Sequence, residues 1–234
     1  MRNVTLAVAV LVGIGLGVVR HSHASGVDWP VVPAPEKTTL TIVADDMEFN
    51  GVPMRTWSIQ GVLTKERTFE FYRKLWGKKS LGDIPGFVEY RVDDWLVISR
   101  LESDFQITVQ LDVAANSTHG LVGITKLPIL KTAPVYGKKF QTYGNMNIVN
   151  DIESEDLGKK SRTIVATTDA SLQSSLKYYR SLYGRKGWTE STDYMKFGRD
   201  RQQALLFNKR GKEVNFTISD NGTSRTIVVV MVDY

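Results

Sequence analysis

Residues 71–79, FYRKLWGKK, and residues 178–186, YYRSLYGRK, repeat one pattern at an offset of 107 positions. An aromatic pair, an arginine, a leucine, an aromatic, a glycine and basic residues recur in order. At the same offset Gly51 falls on Gly158, Arg55-Thr56 on Arg162-Thr163, and Thr64 on Ser171. Six residues, SLGDIP at 80–85, separate the first motif from Gly86-Phe87, whereas Gly187-Trp188 follows the second at once. Farther on, residues 96–109 lie over 205–218 at an offset of 109. Matches kept in one order over this length point to an internal duplication. Two copies are too few for a solenoid, so the expectation is two similar domains in tandem.

One secondary-structure reading then has to serve both copies. In the second, SRTIVAT at 161–167 is β-branched and strand-like. Asp169 or Ser171 is placed to cap a following helix. Leu172, Leu176, Tyr179 and Tyr183, with Leu182 beside them, step at helical spacing and define one apolar face. Gly184 reads as the left-handed C-cap, with Arg185 and Lys186 at the negative helix end. Strands are expected near 189–198, 204–210, 214–219 and 225–234, with Asp220-Asn221-Gly222 turning the last hairpin. In the first copy, strands flank the Asn50-Gly51 turn. A helix runs from about Thr64 to Trp76 with Phe69, Tyr72, Leu75 and Trp76 inward, and further strands lie near 87–92, 95–101, 104–113 and 119–125.

The expected fold class is therefore α+β: two tandem similar domains, each an antiparallel sheet with one helix packed on one face, in β-α-β-β-β order. The domains are expected at 39–125 and 147–234, joined by a linker at 126–146 that carries Pro128, Pro134 and Gly137.

The N-terminus reads as an address. Arg2 precedes the uncharged stretch VTLAVAVLVGIGLGVV at 4–19, and Ser22 and Ala24 are the small residues before a cut. That is the pattern of a secretory signal over residues 1–24. The alternative is an uncleaved inner-membrane anchor made by residues 4–19, although a span needs about 20 apolar residues. Residues 25–38 form a Pro-rich lead-in, stiffened by Pro30, Pro33 and Pro35. The expected location is periplasmic or secreted.

Charge and residue usage narrow the function classes. The chain has 30 basic and 25 acidic residues, and loss of Arg2 and Arg20 with the signal lowers the balance from +5 to +3. The basic residues are scattered in pairs such as Lys78-Lys79 and Lys138-Lys139, so no nucleic-acid surface is expected. There is no cysteine, which removes disulfides, thiolate catalysis and Cys-ligated zinc. His119, in ANSTHG, is the one histidine beyond the signal and is read as lying in a hairpin loop. Asp45-Asp46, Asp93-Asp94 and the group Glu153, Glu155 and Asp156 match no calcium-loop pattern. No phosphate-binding loop or nucleophile elbow is present. The expectation is no catalytic residue, no metal and no cofactor.

Arg73 and Arg180 stand out because they hold the same place in each copy, at the margin of the apolar helix face. Two readings are open for them: a carboxylate partner inside each domain, or contact with a partner protein. The functional expectation is an exported, non-enzymatic bacterial cell-envelope protein. It would serve as an interaction or assembly factor for a secretion, pilus or outer-membrane machine, with envelope proteins as partners and with possible membrane proximity. The alternative is a periplasmic protein that binds a small ligand or lipid between sheet and helix.

Overall fold

In a computed structural model of the chain, the residues described are 27–77, 85–128, 133–156, 158–191 and 201–234. The expected signal peptide at 1–24, the pair Lys78-Lys79, most of the 80–85 insertion, part of the 126–146 linker and residues 192–198 of the strand expected at 189–198 lie outside them. Among the described residues no helix is long and apolar enough to cross a membrane.

The first repeat runs β1 (Thr38–Phe49), β2 (Val52–Gly61), α1 (Lys65–Trp76), β3 (Val88–Val92), β4 (Trp95–Glu102), β5 (Phe105–Asp112) and β6 (Thr118–Lys126). The second runs β7 (Asn147–Asp156), β8 (Lys159–Thr168), α2 (Leu172–Arg185), β9 (Thr189–Ser191), β10 (Gln202–Lys209), β11 (Lys212–Asp220) and β12 (Arg225–Asp233). The expected pair of α+β helix-on-sheet domains is corrected here. Among the described residues, all twelve strands belong to one sheet, 54% of those residues are strand, and the two helices are short. The sheet order is β3-β4-β5-β6-β2-β1-β7-β8-β12-β11-β10-β9. Read in equivalent elements, the second six strands are the first six in reverse. Met47, Glu48 and Phe49 pair antiparallel with Ser154, Glu153 and Ile152.

The offset of the repeat is also corrected. The β4–β5 turn is Ser103-Asp104 and the β10–β11 turn is Arg210-Gly211, with Ser103 and Arg210 both left-handed at φ 55° and 48°. The later strands thus keep the offset of 107 rather than drifting to 109.

The chain divides into two compact units. One comprises the described part of Met1–Thr41 with Ser58–Glu102 and Ile107–Val122; the other comprises Ile42–Trp57, Ser103–Gln106 and Gly123–Tyr234. In the first, α1 is capped by the Thr64 side chain, which accepts from the Arg67 N–H. Thr68, Phe69, Tyr72 and Trp76 are its buried residues. Leu75, expected inward, is 45% exposed. The Tyr72 hydroxyl donates to the Pro33 carbonyl at 3.2 Å, so the Pro-rich lead-in packs across the helix.

In the second unit, Ser171 caps α2 in the same way. Leu176, Tyr179 and Leu182 pack on Ile164, Ala166, Leu205, Phe207, Val214, Phe216, Ile218, Ile227 and Val229, with Leu172 and Tyr183 at the margin. Alternate residues of each strand supply this core, as the two-residue strand period requires. The Tyr179 hydroxyl donates to the Gln141 carbonyl at 3.4 Å, so residues just before β7 cross α2 as the lead-in crosses α1. Gly184 does not end the helix. α2 continues to Arg185 and closes as a Schellman motif: Gly187, at φ 72°, bonds back to the Gly184 carbonyl at 3.0 Å, and the Trp188 N–H bonds to the Tyr183 carbonyl at 3.1 Å. The Trp188 ring then meets the Tyr183 ring edge-on at 5.4 Å.

Candidate functional site

The two repeated arginines each meet a carboxylate on the short strand that follows their helix. Arg73 on α1 donates from Nε and Nη2 to the two carboxylate oxygens of Glu89 on β3, at 2.6 and 2.7 Å. Its guanidinium carbon lies 5.9 Å from the centre of the Phe69 ring. The bidentate contact raises the Arg73 pKa further, through its hydrogen bonds to Glu89. Arg180 on α2 donates from Nε to both oxygens of Glu190 on β9, at 3.0 and 3.2 Å. Glu89 and Glu190 are themselves repeat equivalents once the 80–85 insertion is counted. Both arginine side chains stay accessible, at 44% and 42%.

Among the described residues, strand β3 forms one end of the sheet. It pairs with β4 through the two-residue loop Asp93-Asp94, with Val92 opposite Trp95, Tyr90 opposite Val97 and Val88 opposite Ser99. In a two-residue hairpin the residues flanking the loop exchange hydrogen bonds, and bonded pairs alternate from there. The backbone groups of Val88, Tyr90 and Val92 therefore face β4, and those of Glu89 and Arg91 face away from the sheet. Side chains alternate too: Glu89 shares a face with its helix partner Arg73, while Val88 and Tyr90 are on the other face, 47% and 45% exposed. Partial burial raises the Tyr90 phenol pKa. The Arg91 Nε donates to the Asp93 carbonyl at 2.9 Å, which bends that side chain along the hairpin.

Three of the acidic residues singled out in the sequence, Asp45, Glu153 and Glu155, are held by neighbouring cations. Arg55 meets Asp45 at 3.1 Å. Arg162 holds the buried Asp151 through two bonds at 2.9 and 2.8 Å and also meets Glu153 at 3.2 Å. Glu155 meets Lys160 at 3.5 Å. Asp93 occupies the β3–β4 turn at φ 50°. Among the described residues no three histidine or carboxylate side chains gather as a metal site. His119 is in β6 rather than in a loop, and it is exposed. Sequence reasoning missed Asp151, whose side chain is 5% accessible. No motif marks it, although the repeat had singled out its partner Arg162.

Between α2 and the sheet the packing leaves a void of about 60 Å³, beside Tyr179, Leu182 and Met231. A larger open cleft of about 620 Å³ lies where the β10–β11 turn meets Gly187 and Tyr234.

Comparison of the chain with protein-family models, with curated proteins and with solved structures finds no match.

Proposed function

We propose that this chain is an exported, non-enzymatic cell-envelope protein that recruits an extended segment of a partner protein to the β3 edge. The observation that carries the reading is the end position of β3, with the backbone groups of Glu89 and Arg91 directed outward beside exposed Val88 and Tyr90. Strand addition draws affinity from main-chain hydrogen bonds and specificity from alternate side chains, and it needs no catalytic group. Arg73, held at this edge by Glu89, would contact the incoming segment. The 60 Å³ void under α2 is far smaller than the roughly 300–1,000 Å³ of ordinary ligand pockets, which favours this reading over a ligand held beneath that helix. Residues 1–24, read as an export signal, would bring the chain to partners in the envelope.

The test is capture of envelope proteins by the tagged chain, comparing the native protein with Arg91→Pro. Proline removes an outward N–H while leaving the β3–β4 ladder intact, a position where edge strands tolerate it. Loss of a specific, stoichiometric partner in the variant, with an unchanged circular dichroism spectrum, supports edge pairing. A partner retained equally by Arg91→Pro, or no partner at any salt concentration, refutes it.

A further inference from the structure

The open cleft of the second unit is built from Lys209, Arg210, Lys212, Glu213, Asn208 and Tyr234, with the backbone of Gly187 and Gly211. Its volume of about 620 Å³ is that of a small-ligand site. Three of the lining side chains are cationic and one, Glu213, is anionic. Arg210 is exposed at the tip of the turn, and among the described residues no carboxylate pairs with it. The other two cations have weak local partners. Lys209 Nζ reaches the Lys186 carbonyl at the end of α2, and Lys212 pairs with Asp233 on the surface. Exposed contacts of this kind contribute little and are readily exchanged for a ligand.

The duplication supplies an internal control. Lys209-Arg210-Gly211-Lys212 occupies the hairpin position that Glu102-Ser103-Asp104-Phe105 occupies in the first repeat. The two turns share a length and a left-handed first residue, so the fold accepts either sequence. Features present in both copies, such as the Arg–Glu pairs, belong to the repeated scaffold, whatever else they contact. Among the described residues the basic turn is present in one copy, and the hairpin does not require it. Cations that converge on a concave surface focus the field there and raise the local concentration of anions. Two or three such groups suit a multiply charged oxyanion, with Arg210 supplying forked N–H donors.

From this we propose that the β10–β11 turn forms an anion-binding cleft for a phosphate-bearing ligand, with Arg210 as its principal contact. This is independent of strand addition at β3.

Calorimetric titration of the full chain with inorganic pyrophosphate at low salt tests the proposal. Sedimentation with phosphatidylglycerol vesicles, against phosphatidylcholine vesicles, forms the second arm. Saturable binding that weakens with added salt is expected. Arg210→Asn, chosen because asparagine tolerates a left-handed φ, should weaken it about tenfold. Arg67→Gln on the exposed face of α1 should leave it unchanged. Pyrophosphate binding identifies a soluble phosphate ligand. Binding to the anionic vesicles alone, still lost in Arg210→Asn, assigns the phosphate to a lipid headgroup. No binding in either arm, or binding indifferent to Arg210→Asn in a variant that melts like the native chain, overturns the proposal.

Discussion

Arg73 clasps Glu89 through two parallel N–H···O bonds of 2.6 and 2.7 Å, and the duplicated chain makes the same α-to-edge-strand connection between Arg180 and Glu190. The repeat of both partners, across an insertion that shifts one of them, ties the pair to the scaffold. Its energy should nonetheless be small, because all four side chains are a quarter or more exposed. A double-mutant cycle on Arg73→Ala and Glu89→Ala, read by urea unfolding, is expected to give a coupling of about 0.2–1 kcal/mol that falls with salt. A coupling above about 2 kcal/mol would mean the pair is shielded from solvent in a way this geometry does not provide.

Asp151 presents the opposite case. Its carboxylate receives both Arg162 bonds and the Gly137 N–H at 2.6 Å, while its own backbone exchanges bonds with Asn50 at 2.7 Å. Asp151→Ala leaves a half-buried guanidinium with one exposed partner, Glu153, and orphans the Gly137 N–H. The expected cost is about 3 kcal/mol. Asp45→Ala, removing the more exposed partner of Arg55, should cost under about 1 kcal/mol. Equal losses in thermal melts of the two variants would contradict this ranking.

Much of the local structure is legible in the sequence. Thr64 and Ser171 as caps, Tyr72 and Tyr179 as inward residues, and Asn50-Gly51 as a turn follow from local chemistry and helical spacing. What was not readable is non-local. The pairing of Phe49 with Ile152 joins two hairpins a hundred residues apart, and no period in the sequence records it. Alternating patterns say which side of a strand is buried, not which strand lies next to it. Hence two separate sheets were expected where the strands form one. The same limit applies to Asp151: only pairing across β7 and β8 brings it to Arg162. Leu75 and Leu182 occupy equivalent positions, yet one is exposed and the other buried. The spacing is the same, and the surroundings that decide burial come from elsewhere in the fold.

Asp220 offers a pH test with a defined sign. The Gly222 N–H, 2.8 Å from its carboxylate, is the largest cause holding its pKa below the usual aspartate value of 3.8, and Arg225 adds to it. A folded pKa below the unfolded one contributes stability that is present above the unfolded value and is lost as pH falls through the folded value. Carbon-detected titration by NMR should give Asp220 a midpoint below 3.8. Arg225→Gln should move it upward only part of the way, since the backbone bond remains. A midpoint at or above 3.8 in the native chain would show that the turn does not hold the carboxylate.

Equivalent helix positions give contrasting hydroxyls. Thr68 Oγ1 lies 2.5 Å from Thr118 Oγ1, and both side chains are buried. Ser175, its counterpart on α2, is fully buried, and its Oγ has no hydrogen-bond partner among the described residues. A buried hydroxyl without a partner carries its desolvation cost uncompensated. Ser175→Ala should therefore leave stability unchanged or raise it by about 1 kcal/mol, while Thr68→Ala should lower it by about 1–3 kcal/mol. Comparable losses from both would indicate that Ser175 is bonded through water.

The two glycines of the repeated motif should respond oppositely to alanine. Gly77 ends α1 at φ 60° and ψ −178°, a region that side chains essentially never occupy, and its N–H bonds the Arg73 carbonyl at 3.0 Å. Gly184 lies inside α2 with ordinary helical backbone, and a methyl group added there meets nothing within 4 Å. Gly77→Ala should cost about 1–3 kcal/mol. Gly184→Ala should add about 0.5–1 kcal/mol, because alanine loses less backbone freedom on entering a helix. Denaturant unfolding of both variants measures this directly. Loss of stability in Gly184→Ala would mean that α2 stops at that glycine as α1 stops at Gly77, and that the Gly187 Schellman closure does not form.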